Sequence, residues 1–103
     1  MEVITYSFPA TKKIDSQAHV GVVGSGDLEI IMEPTDKGYA EVTIRTGTIG
    51  FNDTWKYVLE RFFSKNEVSA KIKINDFGAT PGVVSLRLAQ ALEVSHNVDS
   101  IKK

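Results

Sequence analysis

From residue 2 to residue 46 apolar side chains tend to recur at every second position, and from Trp55 they recur at every third or fourth. A chain that switches from period two to period 3.6 lays down strands first and helices after, and both apolar stripes need one shared core. Residues 2–8 put Val3 and Thr5 on one face of a strand and Ile4, Tyr6 and Phe8 on the other, and Pro9 ends it. Residues 10–17, with Lys12, Lys13, Asp15 and Ser16, read as a polar surface loop. Ala18 to Val23 is a second strand, rich in β-branched valine. Leu28 to Glu33 is a third, with Leu28, Ile30 and Met32 inward and Glu29 and Glu33 outward. After the turn cluster 34–38, Tyr39 to Thr46 is a fourth, with Val42 and Ile44 inward and Glu41, Thr43 and Arg45 outward. This is the alternation of a sheet with one wet face.

Asn52, Asp53 and Thr54 offer helix N-caps. Trp55, Val58, Leu59, Phe62 and Phe63 then form one apolar stripe on a helix that ends near Asn66. Ala70, Ile72 and Ile74 alternate with Lys71 and Lys73 in a fifth strand. Thr80-Pro81 reads as N-cap and first helical residue of a second helix running to about Val94, with Val84, Leu88, Ala91 and Leu92 inward. Residues after Ser95 are expected to fray. The fold class is therefore α+β: a mostly antiparallel sheet of about five strands, order β-β-β-β-α-β-α, with two helices on one face. It is not a helical bundle. At 103 residues, with no repeat or linker, residues 1–103 read as a single domain.

Composition removes several classes of function. There is no cysteine, so disulfides, thiolate zinc sites and a cysteine nucleophile are excluded. His19 and His96 have no second ligand at metal spacing, and both read as ordinary surface residues. A net charge of −1 from 12 basic and 13 acidic residues gives no footprint for nucleic acid. No apolar run approaches the roughly 20 residues that span a bilayer. The early acid Glu2 and the lack of a basic run argue against a secretory signal, so a cytoplasmic protein is expected. Such a chain is better equipped to serve a larger machine than to catalyse alone.

The segment Val23-Gly24-Ser25-Gly26-Asp27 stands between two strands. Local chemistry favours a plain turn, because glycine, serine and aspartate are ordinary turn residues. A hairpin tip with glycine on each side of Ser25 would also present a hydroxyl free of neighbouring side chains. Asp27 would then orient that hydroxyl or repel unwanted anions. The segment is not a nucleophile elbow, since the glycine spacing is wrong and a strand follows. It opens no helix and has no following Lys-Ser/Thr, so it is a weak phosphate loop. Residues 75–81, Asn-Asp-Phe-Gly-Ala-Thr-Pro, read first as strand-to-helix punctuation and second as a helix N-terminus open to a phosphate or a partner. The aromatic stripe from Phe51 to Phe63 reads as core. Asp99-Ser100-Ile101 looks like the attachment motif of helical carriers, but only Ile101, Lys102 and Lys103 follow, too few to open a helix.

Two segments carry a resemblance. Val20-Gly21-Val22-Val23-Gly24-Ser25-Gly26-Asp27-Leu28-Glu29 resembles the modification site of the acyl carrier (delta) subunit of biotin-independent malonate decarboxylase. Residues 75–88, beginning Asn-Asp-Phe-Gly-Ala-Thr-Pro, resemble that family's other signature, and the tract 9–13 is similar to its N-terminal region. The resemblance covers essentially the whole chain. It implies that Ser25 carries a 2'-(5''-phosphoribosyl)-3'-dephospho-CoA group through a phosphodiester. It implies a non-catalytic carrier whose thiol arm cycles between acetyl and malonyl thioesters, with the chemistry on other subunits. The implied partners are the acetyl-ACP:malonate ACP transferase (alpha) subunit, the decarboxylase (beta/gamma) subunits, the prosthetic-group transferase and a malonyl acyltransferase. A citrate-lyase-type carrier and an unmodified assembly module are the alternatives.

Overall fold

The computed structural model describes residues 2–21, 24, 26–47 and 50–96. The elements are β1 (Glu2–Pro9), β2 (Lys12–Lys13), β3 (Ala18–Gly21), β4 (Leu28–Pro34), β5 (Tyr39–Thr46), α1 (Asn52–Lys65), β6 (Val68–Asp76) and α2 (Pro81–His96). The period-two alternation builds a sheet in the order β1-β5-β6-β4-β3, with β2 added alongside β6. Inward residues Leu28, Ile30, Met32, Val42, Ile44, Ile72 and Ile74 are fully buried, and Lys71 and Lys73 face out, as the alternation predicts.

β6 is the centre of the sheet. It pairs antiparallel with β4 and parallel with β5. A parallel pair needs a crossover, and α1 supplies it between β5 and β6. Among the described residues the sheet is thus mostly antiparallel, with β6 paired in parallel to β5 and to the short β2.

Both helices lie on the inner face. α1 sits toward β1, α2 lies over β3 and β4, and the two touch each other. Trp55, Val58, Leu59 and Phe63 of α1 and Val84, Leu88 and Ala91 of α2 close the core. Each valine, leucine or phenylalanine among them contributes about 1.5–3 kcal/mol by leaving water. Phe8 of β1 stacks on Phe63 with centroids 4.7 Å apart. The Tyr6 hydroxyl donates to the Asn52 carbonyl at 3.0 Å, which ties the start of α1 to β1.

Three local expectations are corrected. Residues 10–17 are not simply a surface loop. Lys12 and Lys13 pair with Val68 and Ser69, and Ala10 and Ile14 are buried. That strand forms through backbone hydrogen bonds alone, so its exposed lysines carry no apolar period. Among the described residues the sheet accordingly has six strands, where about five were expected. The expected caps of α1 do not act as caps either: the helix begins at Asn52, Phe51 occupies the N-cap, and no side-chain bond closes it. α2 extends to His96, beyond Val94.

Candidate functional site

The register sends three connections out of the same end of the sheet. Gly21 pairs with Glu29, Glu29 with Asn75, and Arg45 with Asn75, so the links after β3, β5 and β6 start as neighbours. The two segments singled out in the sequence, around residue 25 and residues 75–81, therefore meet in space. Ser25 itself, with Val22 and Val23, lies outside the described residues, as does Ser100. Its neighbours Gly24, Gly26 and Asp27 are described.

Gly21 starts the connection with φ +101°, and a Cβ there would stand 2.0 Å from the Leu28 carbonyl oxygen. Only glycine fits that position. Gly24 to Asp27 close as a turn, the Asp27 N–H donating to the Gly24 carbonyl at 3.3 Å, with Gly26 at φ +81°. A Cβ built at Gly24 or Gly26 meets no heavy atom within 4 Å, so the flanks of residue 25 open on free space.

The turn is held from two sides. Gly26 N–H donates to the Phe77 carbonyl at 2.8 Å, and Phe77 N–H donates to the Asp27 carbonyl at 2.9 Å. These bonds continue the β4–β6 ladder one step beyond Leu28 and Asp76. From α2, Arg87 donates to both oxygens of Asp27: Nε to Oδ1 at 3.2 Å and Nη2 to Oδ2 at 2.9 Å. Arg87 is itself steadied by Gln90 at 2.9 Å. The Arg87 hydrogen bond, and after it the Leu28 N–H, hold the Asp27 carboxyl below the usual aspartate range. Asp27 raises Arg87 in turn. Of the two sequence-level roles for Asp27, the pairing with Arg87 makes neither necessary: its carboxylate anchors the turn.

Asp76 organises the second loop. Its Oδ1 accepts the N–H groups of Gly78 and Ala79 at 3.1 and 2.9 Å, and its Oδ2 accepts the Thr46 hydroxyl at 2.8 Å. The Thr80 hydroxyl accepts the Val83 N–H at 3.4 Å, capping α2 as the Thr-Pro pair predicts. The N–H groups of Gly78, Ala79 and Val83 are thus engaged within the loop, which favours the punctuation reading of residues 75–81. On the outer face of the same end, Glu29 accepts from Asn75 at 2.9 Å and contacts His19 Nε2 at 2.7 Å. Those hydrogen bonds, that from Asn75 first, lower the Glu29 carboxyl below its ordinary range. His96 lies within 3.3 Å of Asp15 at the far end of α2.

A cleft opens beside this assembly, between the first turns of α1 and α2. It has a volume of about 300 Å³, and its walls include Phe51, Thr54, Trp55, Asp76, Gly78 and Ala79. Part of the aromatic stripe read as core therefore also faces a cavity. Sequence reasoning missed Arg87, although it lies inside the second signature. Its partner is 60 residues away, so no local pattern marks it.

Comparison with known proteins agrees with this arrangement. The family model described as malonate decarboxylase delta subunit (MdcD) matches residues 15–95. A malonate decarboxylase acyl carrier protein of Azotobacter vinelandii is 46% identical over 99 residues, covering 95% of this chain and 100% of that protein. A protein of the same name from Pseudomonas savastanoi pv. phaseolicola is 46% identical over 94 residues, covering 90% of this chain and 95% of its own length. Among solved structures, a chain of a Pseudomonas malonate decarboxylase hetero-tetramer in complex with malonate superposes with a TM-score of 0.86. It is 42% identical and covers 91% of this chain and 98% of its own. Fold, clamped turn and relatives together define an acyl carrier subunit of the α+β kind. More particularly, the chain belongs to the malonate decarboxylase delta subunit family.

Proposed function

We propose that this chain is the acyl carrier of a malonate decarboxylase and that Ser25 is the attachment point of a 2'-(5''-phosphoribosyl)-3'-dephospho-CoA group, held as a phosphodiester. The observation that carries the reading is the clamped turn: its backbone is fixed by Phe77 and Arg87, while the flanks at Gly24 and Gly26 open on free space. The open space at Gly24 and Gly26 leaves room on either flank for a bulky group, so the residues present fit it. When bound, the group supplies the thiol that carries acetyl and malonyl units, which this cysteine-free chain lacks.

The chain's own residues bind and position. Arg87 and Asp27 hold the turn. Gly24 and Gly26 leave room for a modifying enzyme to close on the serine, and the sheet fixes the pivot. Tethering raises the effective concentration of the acyl unit at successive sites. The chain acts as one non-catalytic carrier domain over residues 1–103. In this reading its partners are the alpha transferase subunit, the beta and gamma decarboxylase subunits, the prosthetic-group transferase and the malonyl acyltransferase, in the cytoplasm. Among the described residues no helix is long and apolar enough to cross a membrane.

The test is intact mass after co-expression with the prosthetic-group transferase and the enzymes that make its precursor. An adduct on Ser25 that Ser25→Ala abolishes, with the fold retained, is the expected result. Absence of an adduct, or an adduct on Ser100, refutes the assignment. Release of CO2 from malonate by the reconstituted subunits separates this reading from a citrate-lyase-type carrier.

A further inference from the structure

The cleft between α1 and α2 lies next to the attachment turn. Gly78, on its wall, is so close to the turn that a Cβ there would stand 3.7 Å from the Gly26 nitrogen. Gly26 directly follows Ser25, one Cα step of about 3.8 Å away. The cavity wall at Gly78 therefore borders the residue that follows Ser25 in the sequence.

The walls select among the parts of a tethered group. They are mainly apolar, with two aromatic rings: Trp55, 6% exposed, at the back, and Phe51, 50% exposed, at the mouth. The ionisable group among the described walls is Asp76, which already accepts hydrogen bonds from Thr46, Gly78 and Ala79. No lysine or arginine lines this cavity among the described residues, and its one carboxylate disfavours an anion there. At about 300 Å³ it stands at the lower limit for small-ligand sites, too small for the whole group. A flat, neutral heterocycle is the occupant that suits two aromatic walls and a threonine hydroxyl.

We infer that this cleft holds the adenine base of the group tethered at Ser25, a reading that rests on the attachment proposed above. In that group the adenosine joins the serine through one phosphoribosyl unit, so beyond two sugar rings the base is the first flat aromatic ring along the tether. The thiol lies at the far end. Docking the base shortens the free part of the arm and leaves the thiol outside the cleft to reach other subunits. Phe51 stacks on the base at the mouth, and Thr54 meets its polar edge.

Trp55 is the single tryptophan of the chain, so its emission reports on the cleft directly. Emission would be measured with excitation beyond adenine absorption, for the apo protein, for the protein whose mass shows the adduct, and for apo protein titrated with AMP or with pantetheine. The expected result is saturable quenching by AMP with a Kd of about 1 mM, the scale at which a short tether makes binding intramolecular. Pantetheine should give no quenching, and the adduct form should be quenched already and insensitive to AMP. Phe51→Ala should weaken the AMP response at least fivefold, and Phe51→Tyr should restore it, with unchanged circular dichroism for both. Quenching by pantetheine but not AMP overturns the inference, as does equal emission of apo and adduct forms. If no adduct forms at all, it is the attachment at Ser25 that fails, and the AMP titration of apo protein still decides the cleft.

Discussion

The guanidinium of Arg87 spans the carboxylate of Asp27, one nitrogen to each oxygen, and so pins a turn between two strands to a helix 60 residues further along the chain. Such a two-pronged grip fixes orientation as well as distance. Lysine keeps the charge but loses the fork.

Arg87→Lys and Asp27→Asn should therefore each slow the attachment proposed at Ser25 by about tenfold or more, since misplacing a reacting group by about 1 Å is costly. The double variant should be little worse than either single one, because both remove the same contact. Time courses of the mass shift with purified transferase check this. Equal rates for wild type and both variants would show that the grip does not serve the modification.

Acid should loosen the turn. The folded-state carboxyl of Asp27 is depressed by Arg87, so its contribution to stability is complete above the unfolded value and is lost as pH falls through the lower, folded one. Glu29 behaves in the same sense through Asn75 and His19. Thermal melts taken from neutral pH into the acid range should show midpoints falling through this window, and Asp27→Asn should flatten the dependence. Identical slopes for wild type and variant would contradict the pairing.

Gly21→Ala should be destabilising, and Gly24→Ala nearly silent. The left-handed φ at Gly21 costs an alanine roughly 1–3 kcal/mol before the collision with the Leu28 carbonyl is counted. At Gly24 the new methyl meets open space, and a change within about 0.5 kcal/mol is expected. Urea midpoints of the two variants, measured side by side, decide the contrast.

Removing the Asp76 carboxylate should unsettle both loops. Asp76→Ala takes the acceptor from the N–H groups of exposed Gly78 and half-buried Ala79 and one partner from the buried Thr46 hydroxyl, a loss of about 1–3 kcal/mol in all, since water reaches the loop amides. Chemical denaturation gives the stability change. Amide shifts at Gly26 should move as well, because Phe77 links the loops.

Much of this architecture was readable from periodicity. Leu28, Ile30 and Met32, and then Val42 and Ile44, announce one-sided strands, and Trp55 to Phe63 a one-sided helix, because burial of one face leaves a repeat that neighbours share. β2 was not readable: Lys12 and Lys13 join the sheet through backbone groups, which every residue has. Nor was the parallel pairing of β5 with β6, since strand direction leaves no mark on local alternation. Phe51 at the N-cap of α1 defeats a capping rule written for side chains that accept hydrogen bonds. At the candidate site both signature segments were visible as segments. Their meeting through Gly26, Phe77, Asp27 and Arg87 was not, because that contact is a product of the register of β4 on β6 and of where α2 packs.

β6 is bonded on both sides along most of its length, and its hydrogen-bonded ladder runs on into Gly26 and Asp27 through Phe77. A connection stitched to a central strand opens only when that strand opens. The amide protons of Gly26 and Phe77 should thus exchange with solvent on the slow timescale of the sheet interior rather than at the rate usual for surface turns. In this protein the ground at Gly26 and Phe77 is the last to thaw.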